Sequence, residues 1–191
     1  MEQLLWLTQE EFLQKYWCFQ FSFWRLVEKI KDHPVFNPTN PCGRKHAPVQ
    51  HQLLVMLHYL GTSGSGTNNP HSHNVFGICC STVELYKTRC VAAILSLQPE
   101  AIKWPSEEER KEIGKRVINK FQIPNCIAIA DGTLFPLLQE PRTVDALDYH
   151  GRKHPYSLSV MIVNDNRRYI HYYLQAFQDM HMTIGFIKNT S

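Results

Sequence analysis

Apolar residues recur at three- and four-residue intervals early in the chain, at Phe12, Phe19, Phe23, Leu26, Val27 and Ile30. That period marks one face of an α-helix. Thr8 and Glu11 form a capping box ahead of it: the hydroxyl accepts an early backbone N–H and the carboxylate reaches back. One helix is therefore expected from Thr8 onward. Pro34 ends it, because proline disfavours helical geometry in the residue before it. The stretch "NPTNPCGRKHAP" is rich in turn residues. Pro48 then opens a second helix with an apolar face of Leu53, Leu54, Leu57 and Leu60, and Gly61 suits its stop.

Residues 61–74, "GTSGSGTNNPHSHN", read as a loop. Ser81 with Glu84 forms a second capping box, leading a stripe of Val83, Tyr86, Val91, Ile94 and Leu95. Ser106 with Glu109 forms a third, after Trp104-Pro105, and starts a charged helix reaching about Lys120. The pattern changes after Pro124. "CIAIADGT" is an apolar run of strand length, with Asp131 at its end. "YSLSVMIVND" and "RYIHYYLQAF" are rich in β-branched and aromatic residues, and "NDNRR" between them has hairpin-turn chemistry. The expected fold is α+β: a helical region at 1–121, then a strand-rich region at 122–191.

Composition narrows the class. At 191 residues, 43% hydrophobic and 19% charged, the chain is globular rather than disordered. A formal charge of +3 is mildly basic and compatible with nucleic acid. Six cysteines without a C-x-x-C spacing read as reduced thiols of a nuclear or cytoplasmic protein. The acidic start "MEQLLWLTQEEF" is unlike a signal peptide, and no apolar run reaches membrane-spanning length.

Several groups invite chemistry. A short helix at about 70–76, the turn at Gly77 to Cys79 and a longer helix from about Ser81 make a helix-turn-helix pattern. Its second helix would expose Glu84, Lys87, Thr88 and Arg89, with Lys87 and Arg89 placed to meet phosphates. A plain helical hairpin inside a bundle fits the same pattern. His71, His73, Cys79 and Cys80 are zinc-ligand types, but their spacing matches no finger. Asp131 at a strand's end suits a divalent ion, which needs further acids from other elements. An ordinary Asp-Gly turn fits as well. Tyr149 to His154, with Arg152 and Lys153, and the pair Arg167 and Arg168 supply bases that would position a phosphate backbone. Solvated loops fit these too.

Taken in order, these motifs resemble the Harbinger-type transposases and their domesticated nuclease-like relatives, within the DDE endonuclease superfamily. "IADGT" is similar to the motif of the family's first catalytic aspartate. "LDYHGRKHPYSLSVMIVNDNRRYIHYY" is similar to the stretch that follows it. "AFQDMHMT" stands where the family has a Gly-Ser-x-His-Asp-type motif, and "FGICCSTVELYKTRCVAAIL" with "WPSEEER" resembles its helix-turn-helix and Trp-Pro segment. The resemblance implies a partial RNase H-like domain at 122–191, Mg or Mn held by Asp131, and phosphodiester cleavage. It also implies DNA as a partner, and a Myb-like or other transposon-encoded protein.

The family's second acid follows a His about fifty residues after the first. Here His181 is followed by Met182, and a thioether is a poor Mg²⁺ ligand. Asp179 is the nearest substitute. The family's third acid, a glutamate, has no counterpart. The chain is therefore expected to be a catalytically incomplete nuclease relative, either a fragment or a decayed product, or else a non-catalytic DNA- or partner-binding relic. A sheet limited to its first strands would also leave an unpaired edge that favours association.

Overall fold

Helix α1 (Gln9–Tyr16) begins at the expected capping box: the Thr8 hydroxyl accepts the Glu11 N–H, and the Glu11 carboxylate accepts the Thr8 N–H at 2.9 Å. The computed structural model describes residues 7–37, 46–61, 75–137, 156–176 and 185–188. Instead of running on to Pro34, the helix stops at Trp17, which adopts the left-handed conformation (φ 57°). A second helix, α2 (Gln20–Ile30), follows. The reason is tertiary. The rings of Phe12 and Phe23 meet edge to face with centroids 5.5 Å apart, whereas eleven residues along one continuous helix span roughly 16 Å. The break folds α2 back so that both apolar faces share one core.

Pro34 opens a short 3-10 turn (Pro34–Phe36), where the His33 ring nitrogen Nδ1 accepts the Val35 N–H. Helix α3 (Val49–Gly61) is buried at five successive residues, Gln52 to Met56, so it is the central element of its unit. Phe12, Tyr16, Phe23, Ile30, Leu53, Leu54, Cys90 and Ala93 close the main cluster. Val55, Phe76, Val83 and Tyr86 make a second one. Residues 75 and 76 are helical, Gly77 turns the chain at φ 65°, and α4 (Cys80–Leu95) follows. Its N-cap is Cys79, two residues before the expected N-cap Ser81, and the capping box of Ser81 and Glu84 is not the start of the helix. The Gly77 turn starts the helix early and leaves Ser81 inside its first turn. One helical turn, α5 (Gln98–Ala101), comes next.

The chain divides into two units, Met1–Gln98 and Pro99–Ser191. In the second, α6 (Glu107–Phe121) starts at the predicted capping box of Ser106 and Glu109 and ends on left-handed Gln122. Its sequence groups it with the helical half, yet its buried Ile113 and Val117 pack on Cys126 of the first strand. That strand, β1 (Cys126–Pro136), pairs antiparallel with β2 (Ser157–Asn164) on one side and β4 (Gly185–Lys188) on the other. Then β3 (Ile170–Ala176) pairs antiparallel with β2, giving the order β3-β2-β1-β4. The fold is α+β. β1, β2 and β3 lie where the apolar, β-branched and aromatic runs predict them, with two differences: β4 was not expected, and β1 runs on to Pro136, so Asp131 sits mid-strand rather than at a strand end.

Candidate functional site

Asp131 opposes Ile162 of β2, which in turn opposes Tyr173 of β3. It is exposed, as are Thr133 and Phe135, the alternate residues on its face. The β4 ladder ends one residue before it, at Ala130 opposite Gly185. Asp131 therefore marks the point where β1 changes from a central to an edge position among the described residues. The carboxylate faces solvent beside a sheet, as the sequence suggests. Its directly opposed neighbours are apolar, however, and no group of three or more His, Cys, Asp or Glu side chains able to hold a metal exists among the described residues. The described donor set does not fit a Mg²⁺ or Mn²⁺ site, which needs converging carboxylates. Asp179, Met182, Arg152, Lys153, His71 and His73 all lie outside the described residues.

A second acid is built very differently. Asp165 follows β2 and is buried. Its Oδ1 accepts the backbone N–H groups of Arg167 at 2.8 Å and Tyr169 at 3.0 Å. Its Oδ2 pairs with the Arg116 guanidinium of α6 at 3.2 Å. The backbone closes the same turn, with the Arg168 N–H donating to the Asp165 carbonyl and the Asp165 N–H to the Tyr169 carbonyl. Arg168 takes the left-handed conformation, φ 68°. This is the hairpin loop in which a tight turn is followed by a left-handed residue. Asp165 is thus a structural anchor joining the β2–β3 turn to α6. The sequence signal for it was "NDNRR": an aspartate followed by turn residues hydrogen-bonds its own backbone two residues on.

His171 completes this region. The β2–β3 register slips between Val163 and Asn164, leaving His171 as an extra residue in β3. Such bulges re-aim side chains. Its Nδ1 lies 3.1 Å from the Lys103 carbonyl. A carbonyl only accepts, so Nδ1 carries the proton. Its Nε2 is buried, has no hydrogen-bond partner among the described residues and lies 3.9 Å from Asp165 Oδ2. These groups line a groove of about 720 Å³ together with Trp104, Pro105, Tyr169 and Ile170. The Ser106 hydroxyl, which lines the same groove, serves as the α6 cap.

The expected phosphate-binding cations fare unequally. The Lys87 ammonium is 2.8 Å from the Glu84 carboxylate and 3.6 Å from the Tyr59 ring centroid, and its side chain is largely buried. The Arg89 guanidinium bonds His46 Nε2 at 3.2 Å, while His46 Nδ1 donates to the Phe36 carbonyl at 2.8 Å. Both cations hold the first unit together. Of the four residues expected to be exposed on α4, Glu84 and Thr88 are, and Leu85, Val91 and Leu95 are exposed with them. Arg167 and Arg168, by contrast, are exposed on the turn that Asp165 fixes.

The cysteines carry one further reactive group. Cys79 and Cys80 are exposed, contrary to the usual burial of free cysteine. The Cys79 thiol has hydroxyl neighbours at 3.1 Å from both Ser81 and Thr82, and these bring its pKa down to about 7. No described helix is long and apolar enough to cross a membrane. No protein-family model, curated protein or solved structure matches this chain.

Proposed function

We propose that this chain is a transposase-derived, DDE-endonuclease-like protein that binds DNA and does not cleave it. What carries the reading is Asp131: an exposed carboxylate on the middle of β1, facing solvent, with no group of three or more metal-ligating side chains among the described residues. The RNase H-like assignment rests on the ordered motifs around it and on the antiparallel β1-β2-β3 meander. Cleavage of a phosphodiester by two metals needs acids converging from several elements. Asp165, the other acid of the described sheet region, is spent on the hairpin and Arg116. The position after His181 is Met182. A divalent ion at Asp131 would have to draw its remaining ligands from outside the described residues.

DNA contact is assigned to Arg167 and Arg168, which stand exposed on a rigid turn of the same sheet. From Ile162, opposite Asp131, three strand residues, roughly 10 Å, lead to Asp165 and the turn. The helix-turn-helix of the first unit is the less favoured contact, because Lys87 and Arg89 are held by neighbours.

The test combines binding with cleavage on the full chain. Supercoiled plasmid incubated with Mg²⁺ or Mn²⁺ is expected to stay intact, while a DNA duplex binds with an affinity that falls as salt rises. Changing Arg167 and Arg168 to Ala together should lower the slope of log affinity against log salt by about 2. An unchanged slope overturns the contact assignment. Nicking that disappears in Asp131→Ala establishes an active nuclease instead.

A further inference from the structure

We propose that the seam between α6 and the start of β1 is a binding site for a phosphate monoester, a doubly charged phosphate carried on a small apolar body. Neither Asp131 nor Arg167 and Arg168 line it, and the proposal stands independently of the DNA reading.

Arg110, Gly114 and Ile118 recur every four residues along α6, and Lys111 and Lys115 form the next row, so the five share one side of the helix. With Asn125 and Ile127 they line a groove of about 300 Å³. Among these described residues there are three cations and no carboxylate. Lys111 pairs with Glu107 at 2.7 Å, but both side chains are well exposed and such a pair is weak. Lys115 and Asn125 are exposed, and neither has a hydrogen-bond or ion-pair partner among the described residues. Arg110 is committed on one side only. Its Nη1 donates to the Pro105 carbonyl at 3.0 Å, while its Nε–H is buried and has no acceptor among the described residues. Nε and Nη2 form the edge with which a guanidinium holds an oxyanion through two parallel bonds.

Gly114 points the same way. A glycine inside a helix lowers the folding equilibrium about fivefold relative to alanine, and the usual structural reasons for one do not hold here. Its backbone is helical rather than left-handed. A Cβ added to it would have the Cys126 carbonyl oxygen, at 4.0 Å, as its nearest neighbour outside the helix backbone, which is an ordinary contact. Packing on β1 therefore does not require the missing side chain. What the glycine leaves is open depth between Arg110, Lys115 and Ile118. Charge sets the ligand class. Three cations in one groove suit a phosphate monoester, at about −1.5 to −2 near pH 7, better than a carboxylate or a phosphodiester with one charge. Ile118 and Ile127 offer apolar surface to the body that carries the phosphate.

Isothermal titration calorimetry of the full chain with phenyl phosphate should give a Kd of about 0.1–1 mM. Methyl phenyl phosphate, a diester with a similar body and less charge, should bind about tenfold more weakly. Gly114→Leu fills the groove with a better helix former, so it should melt at or above wild type and lose at least about tenfold in affinity. Lys115→Glu, on an exposed side chain, should also cost about tenfold, and it decides the matter if Gly114→Leu fails to fold. Changing Arg167 and Arg168 to Ala together should leave the Kd unchanged, whether or not those arginines bind DNA. No binding of phenyl phosphate up to about 10 mM overturns the proposal. So does equal affinity for the diester, and so do folded variants that bind like wild type. Displacement of phenyl phosphate by duplex DNA from the Arg167 and Arg168 double variant would assign the groove to backbone phosphates and overturn the monoester.

Discussion

Cys79 shows how a residue's chemistry follows from two neighbours. The Ser81 and Thr82 hydroxyls, each 3.1 Å from its sulfur, donate to the thiolate and stabilise the charged form. They lower its pKa to about 7, with Ser81 the larger contributor. Cys90 is the opposite case: burial in the first unit's core pushes its thiol up to about 12. Iodoacetamide should therefore label Cys79 first. Its rate should rise through a midpoint near pH 7, while Cys90 stays protected in the folded chain. Ser81→Ala should move the Cys79 midpoint upward. The sign of the stability linkage follows from the direction of the shift. The folded state favours the thiolate, so this contribution is present above the ordinary thiol pKa and fades as pH falls through about 7. Mass-spectrometric mapping of the alkylated sites across pH checks both statements; equal labelling of Cys79 and Cys90 would refute them.

Among the elements, the β2–β3 hairpin depends most on one side chain. Asp165→Ala removes the acceptor for two backbone N–H groups and leaves Arg116 without its carboxylate. Breaking a buried pair of this kind costs about 3 kcal/mol. Asp165→Asn keeps an oxygen for the turn and loses only the ion pair, so it should cost less, about 1–2 kcal/mol. Urea unfolding monitored by circular dichroism resolves that order, and an unchanged midpoint for Asp165→Ala would show that the turn does not rely on it. The hairpin also shows where sequence is legible. Turn residues, strand periods and the capping boxes at Thr8 and Ser106 are local, and each formed where its residues stand. The anchoring role of Asp165 was hidden because half of it depends on Arg116, 49 residues away. The same holds for the break at Trp17, set by the meeting of Phe12 with Phe23, and for Lys87 and Arg89. Their side chains look exposed by spacing, yet they are claimed by Glu84, Tyr59 and His46. Asp131 was readable as an exposed acid on β1, because a carboxylate that closes an apolar run is kept in water. Its position along the strand was not, because strand length is set by pairing with β2.

For the whole molecule, the decisive element is α6. By composition it belongs with the helices before it, but Ile113 and Val117 cover Cys126 at the start of β1. Each of those side chains contributes roughly 2 kcal/mol when buried, and the Arg116–Asp165 pair ties the same helix to the hairpin. A cut at residue 121, where the sequence changes character, would strip this cover from the sheet. It would expose Cys126 and leave Asp165 buried without its cation. A cut between Gln98 and Pro99 keeps α6 with the strands it covers. The fragment 99–191 should accordingly melt cooperatively, whereas 122–191 should show no cooperative transition and should precipitate or bind a hydrophobic dye. Thermal melts of the two fragments by circular dichroism separate these outcomes. Equal cooperativity in both would mean that the sheet needs no helix to hold it, and that Ile113 and Val117 lie against it without supporting it.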